Sequence, residues 1–147
     1  MKYRVYTDGA GNYEKKLSGA SYVILTDTHY IASGLFTIQG ESNPTCAETI
    51  GVGVAAGFML QLPEVKEDDE IEFYVDCKAA IDYYEKFALI KGPLTFKHKN
   101  QRIELSVKLV YQLNQKVKIS MCKIHGHKDK HNPNKYCDAL AKLAIRR

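Results

Sequence analysis

The alternation of apolar and polar residues predicts five strands and four helices along the chain. Three segments at 2–8, 19–27 and 29–40 are rich in aromatic and β-branched residues, and the last two are close enough for a hairpin turn. We expect these three strands to form an antiparallel meander. The later elements are predicted as helices at 43–62, 77–90, 102–115 and 135–147 and as strands at 70–76 and 116–126.

A meander followed by alternating strands and helices predicts one domain, residues 1–147, of the α/β class with an α+β mixed sheet. The five-stranded sheet would have its first three strands antiparallel and its helices packed on its faces. The helix at 43–62 is predicted to begin with Asn43 or Thr45 as its cap and Pro44 in its first turn. Close packing against the sheet must compensate for three glycines that weaken this helix, Gly51, Gly53 and Gly57.

The composition is that of a soluble globular protein, with 45% hydrophobic and 26% charged residues among 147. No apolar run is long enough to cross a bilayer, and the N-terminal segment has the pattern of a strand rather than of a signal peptide. We therefore expect a cytoplasmic protein that does not bind membranes. The formal net charge of +4 is compatible with nucleic-acid binding but does not indicate it by itself.

The four cysteines are widely spaced, which indicates reduced thiols rather than a disulfide framework: Cys46, Cys77, Cys122 and Cys137. Two of them, Cys122 and Cys137, are close in sequence to His125, His127 and His131, residue types that also build zinc sites. No C-x-x-C pair or cleanly placed histidine pair frames such a site. The favoured interpretation of the two cysteines is therefore small buried apolar residues.

Four carboxylates lie at the ends of predicted strands or near the starts of predicted helices. Asp8 and Asp76 each end a predicted core strand. If those strands are parallel neighbours, both acids emerge at the edge where open α/β sheets place their ligand sites. Glu48 lies in the first turns of a helix whose small and apolar residues predict that it is buried. Its side chain is therefore expected to point into the protein. Asp138 lies in the first turn of the last predicted helix.

Each of these acids has an ordinary interpretation when it is considered alone. Asp8 would be a turn residue, Asp76 a helix cap, and Glu48 and Asp138 acids at helix starts. Several carboxylates at one sheet edge, however, repel each other and raise their pKa values unless a cation neutralises them. An oxygen-rich site of this kind suits Mg²⁺ or Mn²⁺.

Four ordered blocks of this sequence resemble the signature blocks of type 1 ribonuclease H: YTDGAGN, NPTCAETIGV, FYVDCKAA and KIHGH…NPNKYCDALAKLA. The resemblance extends through essentially the whole chain. It implies the ribonuclease H-like fold, a five-stranded mixed sheet with helices on both faces. It also implies an endonuclease that hydrolyses the RNA strand of RNA–DNA hybrids with two Mg²⁺ ions, or Mn²⁺ as a substitute, and leaves 5′-phosphate and 3′-hydroxyl ends.

The resemblance assigns catalytic roles to five residues. Asp8 would bridge two metal ions, Glu48 and Asp76 would complete one metal site, and Asp138 would complete the other. His127 matches the family's loop histidine, which helps proton transfer or product release. The segment between His127 and Asp138 is about one residue longer than the family pattern, and the neighbouring His125 and His131 leave the histidine assignment open.

The resemblance also places a set of residues along the hybrid: Gly9, Ala10, Gly11, Asn12, Asn43, Thr45, Cys77, Lys78, Lys97, Lys99 and Asn134. Small polar residues suit the shallow minor groove of an A-form duplex, although Asn43 and Cys77 are equally well explained as cap and turn residues. The basic loop at 91–101 replaces a longer basic handle found in some members. The chain has no tryptophan, so the family's aromatic DNA contact is not matched, and Phe96 is considered as a substitute for it.

The expected partner is an RNA–DNA hybrid, and the expected state is a monomer with no obligate protein partner. A second hypothesis is a catalytically weak or inactive module that binds hybrid or double-stranded RNA, motivated by the altered loop length and the absent tryptophan. A third is a related polynucleotidyl transferase or resolvase. Those families usually differ in the spacing after the first aspartate and lack the Gly-His pair at 126–127.

Overall fold

The structure, a computed structural model, describes residues 1–124 and 133–146. Its elements follow the predicted order β-β-β-α-β-α-α-β-α. The strands are β1 Lys2–Asn12, β2 Leu17–Leu25, β3 Tyr30–Gln39, β4 Glu70–Val75 and β5 Lys118–Lys123. The helices are α1 Pro44–Leu60, α2 Lys78–Phe87, α3 Gln101–Lys116 and α4 Pro133–Ala144.

The strands form one mixed sheet in the order β3-β2-β1-β4-β5. Strands β1, β2 and β3 pair antiparallel, which confirms the predicted meander. Strand β4 pairs parallel with both β1 and β5. Because β1 and β4 are parallel neighbours, the residues that follow their paired segments emerge at the same edge of the sheet. The predicted five-stranded mixed sheet is therefore confirmed.

The helices cover both faces of the sheet. Gly19 and Ala20 are consecutive in β2 and so point to opposite faces. A side chain at Gly19 would meet Ala144 of α4 at 2.7 Å, whereas Ala20 packs against Gly51 of α1. The main core lies on the α1 face, where α1, α2 and α3 cover fully buried strand residues such as Phe73. Within residues 1–124 and 133–146, α4 is the one helix that covers the opposite face, where it packs against β1, β2 and β3.

Strand β1 is longer than predicted, and Asp8 lies inside it. Its parallel pairing with β4 ends at Tyr6, but its antiparallel pairing with β2 continues to Asn12. The interpretation of Asp8 as a turn residue is therefore wrong. The sequence favoured a turn at Gly9 and Gly11, but both are strand residues. The backbone just before α1 and in its first turns packs directly against them. A side-chain carbon at Gly9 would lie 2.7 Å from the Glu48 amide nitrogen, and one at Gly11 would overlap Ser42.

Helix α4 begins earlier than predicted, at Pro133 instead of residue 135. Proline is favoured at the first helical position because its missing N–H has no helical partner there. Asp138 consequently lies in the second turn, and its predicted place in the first turn is wrong. Helix α2 also ends at Phe87, earlier than predicted, and β5 begins at Lys118 because α3 continues through Lys116. Residues 125–126 of the predicted fifth strand lie outside the described residues.

The start of α1 has the predicted cap. Asn43 accepts a hydrogen bond from the Thr45 amide at 2.8 Å, and Pro44 is the first helical residue. The glycines of α1 pack closely, but the predicted packing against the sheet is found for only one of the three. Gly51 lies against Ala20 of the sheet, but Gly53 and Gly57 face α3. None of the helices in the described ranges is long and apolar enough to cross a membrane.

Candidate active site

Four acids lie around the edge of the sheet where β4 ends. Asp8 lies two residues beyond the last β1 residue paired with β4, and Asp76 directly follows β4. Glu48 extends from α1 and Asp138 from α4. The first of these helices covers one face of the sheet and the second covers the other. The sheet edge between them therefore brings together all four acids that the sequence singled out.

Glu48 is buried and connects α1 to the end of β4. Its side chain is 6% exposed, which confirms that it points into the protein. Its Oε1 atom accepts hydrogen bonds from the amides of Asp76 at 2.9 Å and Cys77 at 3.3 Å. Burial nevertheless raises the pKa of Glu48 to about 7, against the opposing effect of these two amides.

Asp8 is the second buried acid of the site. Its Oδ1 atom accepts a hydrogen bond from the Gly9 amide at 2.8 Å, and its carboxyl group is within hydrogen-bonding reach of Asp138. Burial is the main reason that the pKa of Asp8 is raised to about 8, and the charges of Glu48 and Asp138 add to the effect. Without a bound cation, two carboxyl groups of this site thus retain protons near neutral pH.

Two lysines that the sequence reasoning missed neutralise the other two acids. Lys123 of β5 lies 3.0 Å from the Asp76 carboxylate, and Lys142 of α4 lies 2.9 Å from the Asp138 carboxylate. Lys142 had a usable signal, because it follows Asp138 by four residues on one helix. Lys123 had none in the local sequence, since its proximity to Asp76 depends on β5 pairing beside β4. Asp76 does not cap α2, which begins after Cys77.

The predicted substrate-facing residues fall into three groups. Gly9 to Asn12 form the end of β1 and lie beside the start of α1, where Asn43 and Thr45 are exposed. Cys77 and Lys78 begin α2 directly after Asp76. Lys97 and Lys99 are exposed in the loop before α3, whereas Asn134 is buried in the first turn of α4.

The proposed aromatic contact, Phe96, packs within the protein. Its ring lies 5.5 Å from that of Tyr83 and 5.0 Å from that of Phe87, and it stacks beneath His98. This cluster holds the basic loop against α2. His127, with the neighbouring His125 and His131, lies outside the described residues.

The cysteines carry no disulfide; all four are free thiols. Cys137 is fully buried, as predicted, and its Sγ donates to the Tyr6 carbonyl at 3.2 Å. Burial raises the pKa of this thiol to about 12, so it is protonated at neutral pH in the metal-free protein. Cys122 is only half-buried.

The acids match divalent-metal chemistry by donor type. Within residues 1–124 and 133–146, no three histidine, cysteine or acidic side chains already converge as a ligand set. The Asp8 and Asp138 carboxyl groups lie within hydrogen-bonding reach of each other, whereas the Glu48 carboxylate contacts the amides of Asp76 and Cys77. All of the donors are oxygens, which Mg²⁺ and Mn²⁺ prefer, and the charge of a bound cation would release the protons held by Asp8 and Glu48.

The chain belongs to the RNase H family, whose model matches residues 1–146. A search of curated proteins found no match. Among solved structures, RNase H1 from the halophilic archaeon Halobacterium salinarum NRC-1 is similar with a TM-score of 0.68 and 16% identity, over 99% of this chain and 98% of that one. The N-terminal RNase H domain of a Mycobacterium tuberculosis protein, solved as a fusion with maltose-binding protein, has a TM-score of 0.67 and 17% identity, over 99% of this chain and 94% of that one.

At these identities the likeness to solved structures shows the fold alone, and the family match carries the assignment. Membership in the RNase H family supports a hydrolase with activity of the ribonuclease H type. The family generally acts on RNA–DNA hybrids and uses divalent metals.

The raised pKa values of Asp8 and Glu48 predict how the stability of the metal-free protein depends on pH. Both groups bind protons more tightly in the folded chain than in the unfolded chain, where carboxyl pKa values are about 4. Their stabilising contribution is complete below that value and is lost as pH rises through 7 and 8. In chelator, urea denaturation should show the free energy of unfolding falling by about 5 kcal/mol between pH 5.5 and pH 8.5, of which about 3 kcal/mol comes from Asp8 and about 2 kcal/mol from Glu48.

Millimolar Mg²⁺ should restore most of this loss at pH 8.5, because the bound cation replaces the protons. Asp69, whose pKa is lowered by hydrogen bonding to the Lys66 amide, affects stability only at lower pH and does not disturb the comparison. A free energy of unfolding that stays flat or rises across this range contradicts the burial of the two acids.

Proposed function

We propose that this chain is an endonuclease that hydrolyses the RNA strand of RNA–DNA hybrids and leaves 5′-phosphate and 3′-hydroxyl ends. The observation that carries the proposal is the meeting of Asp8, Glu48, Asp76 and Asp138 at one sheet edge. Two of these acids, Asp8 and Glu48, are buried, and burial makes their charged forms less stable than they are in water. A cluster of this kind is poorly explained by folding alone, since it makes the metal-free protein less stable at neutral pH.

Divalent cations would suit this cluster: Asp8 would serve as a ligand to both ions, Glu48 and Asp76 would help to hold one, and Asp138 would help to hold the other. When bound, two Mg²⁺ ions supply activation of the attacking water and stabilisation of the departing 3′ oxygen. The protein's part is to fix the carboxylates. Glu48 is held by the amides of Asp76 and Cys77, and Asp8 by the Gly9 amide.

The surface beside the acids suits the backbone of an A-form duplex. The end of β1 from Gly9 to Asn12 and the exposed start of α1 present small and polar groups next to the acids. Lys78, Lys97 and Lys99 are exposed and would supply positive charge to the duplex. Contacts of these lysines with phosphates would make hybrid binding weaken as salt is raised.

His127 is proposed as the loop histidine that helps proton transfer or product release, with His125 and His131 as alternatives. Variants of each histidine, compared at saturating hybrid, would separate the three. The residue in that role should lower kcat when it is changed to alanine, and the other two should not.

The proposed function is tested with a 5′-labelled RNA annealed to DNA, incubated with Mg²⁺ and separately with Mn²⁺. We expect internal cleavage of the RNA strand, products that carry 5′-phosphate and 3′-hydroxyl ends, and complete loss of cleavage in chelator. The same RNA paired with RNA, and the same DNA paired with DNA, should remain uncut. An RNA ladder that persists in chelator would refute the two-metal mechanism.

The non-catalytic alternative has a distinct outcome in this experiment. It requires binding of the hybrid, measured by fluorescence anisotropy, with no cleavage in either metal across a titration from micromolar to millimolar. A transferase or resolvase would instead leave the simple hybrid uncut and act on a DNA substrate.

A further inference from the structure

Lys123 reaches from the end of β5 across the end of β4. It is the last residue of β5 and pairs in register with Val75, so its side chain lies next to Asp76. Its Nζ donates to the Asp76 main-chain carbonyl at 2.5 Å and to the Asp76 Oδ1 at 3.0 Å. A third, longer contact of 3.5 Å joins Nζ to the carbonyl of Ile124.

Asp76 is therefore held on both sides. Glu48 accepts the hydrogen bond of its amide, while Lys123 donates to its carbonyl and to its carboxylate. An ammonium group has three donors, and here they are directed to two oxygens of Asp76, which follows β4, and to the carbonyl of Ile124, which follows β5. The lysine thus acts on the orientation of the whole Asp76 residue, not on its carboxylate alone.

The Asp76 oxygen that Lys123 contacts belongs to the carboxylate assigned to a divalent ion. A lysine ammonium and a Mg²⁺ ion cannot both sit in direct contact with that oxygen without mutual repulsion. The pair is partly exposed, at 39% for the lysine and 41% for the aspartate, so the flexible lysine can leave for water when an ion arrives.

We propose that Lys123 is a positioning residue that takes the place of the divalent ion at Asp76 in the metal-free protein and is displaced when the ion binds. It keeps the end of β4 in order before the metal arrives, and it lowers the affinity for the metal. This inference rests on the proposed two-metal function.

The test compares Lys123→Met with the wild-type protein, using Mn²⁺ as the probe in isothermal titration calorimetry without nucleic acid. Loss of the competing charge should make the Kd for Mn²⁺ about three- to tenfold tighter. In chelator, the same variant should melt a few degrees lower, since the end of β4 loses its cation. Lys123→Arg retains the charge and should keep a Kd within about twofold of the wild type.

Lys118→Met is the matched control. Lys118 begins the same strand, and its ammonium lies 3.8 Å from Glu70 at the opposite end of the sheet. This variant should leave the Kd unchanged. In an Asp76→Asn background, Lys123→Met should alter the Kd by less than about twofold, because the shared oxygen charge is gone.

Two results would overturn the inference: a Kd in Lys123→Met that equals or exceeds the wild-type value, or an equal gain in affinity in the Asp76→Asn background. If the wild-type protein cleaves hybrids with Mg²⁺ while either result is found, only the role of Lys123 falls. If the wild-type protein neither binds Mn²⁺ nor cleaves, the proposed function falls and the inference falls with it.

Discussion

Replacing Asp8 with asparagine should abolish hybrid cleavage and at the same time stabilise the metal-free protein. The shared ligand of the proposed metal pair is lost, and a loss of several kcal/mol of metal-ion catalysis corresponds to a rate reduction of about a thousandfold or more. Asparagine cannot ionise, so the cost of burying a charge between Glu48 and Asp138 disappears. At pH 8 in chelator, the free energy of unfolding should rise by about 1–3 kcal/mol.

The opposite directions of the two effects make this prediction specific. A variant that simply misfolds would lose activity and stability together, whereas Asp8→Asn should lose only the first. Asp27→Asn is the matched control, because Asp27 is an exposed acid paired with Arg4 at the other end of β1. It should leave the cleavage rate unchanged. Cleavage by Asp8→Asn at near the wild-type rate would remove Asp8 from the catalytic set.

Replacing Gly53 with alanine should cause the largest loss of stability among single-methyl changes in α1. The added carbon would lie 2.5 Å from the Ser106 Cα, so the backbones of α1 and α3 would have to separate. Overpacking against backbone in a buried crossing costs about 2–4 kcal/mol, which exceeds the gain in helix propensity. Urea denaturation in the presence of Mg²⁺ should show this loss as a lower midpoint with an unchanged m-value.

Gly57→Ala is the matched control for this substitution, one helical turn further along α1. A side-chain carbon there would lie 3.4 Å from the end of the flexible Leu109 side chain, an ordinary packing distance. Its helix propensity gain should leave the protein unchanged or stabilise it by up to about 1 kcal/mol. Equal losses for the two variants would show that general helix effects, and not the close crossing at Gly53, decide the outcome.

The order of elements could be read from the sequence because each element carries its own local pattern. Strand β4 alternates strictly between buried and half-buried residues, and Asn43 with Pro44 marks the start of α1. The extent of β1 could not be read in this way. Gly9 and Gly11 are turn residues by local preference, but in the strand they lie against Ser42 and the start of α1, distant in sequence, which leave no room for side chains.

In the site, too, the local sequence identified the candidate residues, but features that depend on tertiary packing could not be predicted from it. The four acids were predicted as candidates from their positions near strand ends and helix starts; the structure places them around one edge of the sheet, and their role in binding metal stays a prediction. The burial that raises the pKa values of Asp8 and Glu48 depends on the packing of both helices around the sheet edge. The role of Lys123 depends on the order of strands in the sheet. That order places β5 beside β4, and the local sequence does not show it.

Helix α4 carries one of the four acids of the site, but it lies outside the main core that stabilises the sheet. Among the described residues, the large core cluster contains side chains of the sheet and of α1 to α3 but none of α4. Helix α4 contacts the opposite face chiefly through small residues such as Cys137, Ala141 and Ala144. A local opening of this helix would withdraw Asp138 while the main core stays folded. Under the proposed function, agents that loosen α4 should therefore inactivate the protein before they unfold its main core.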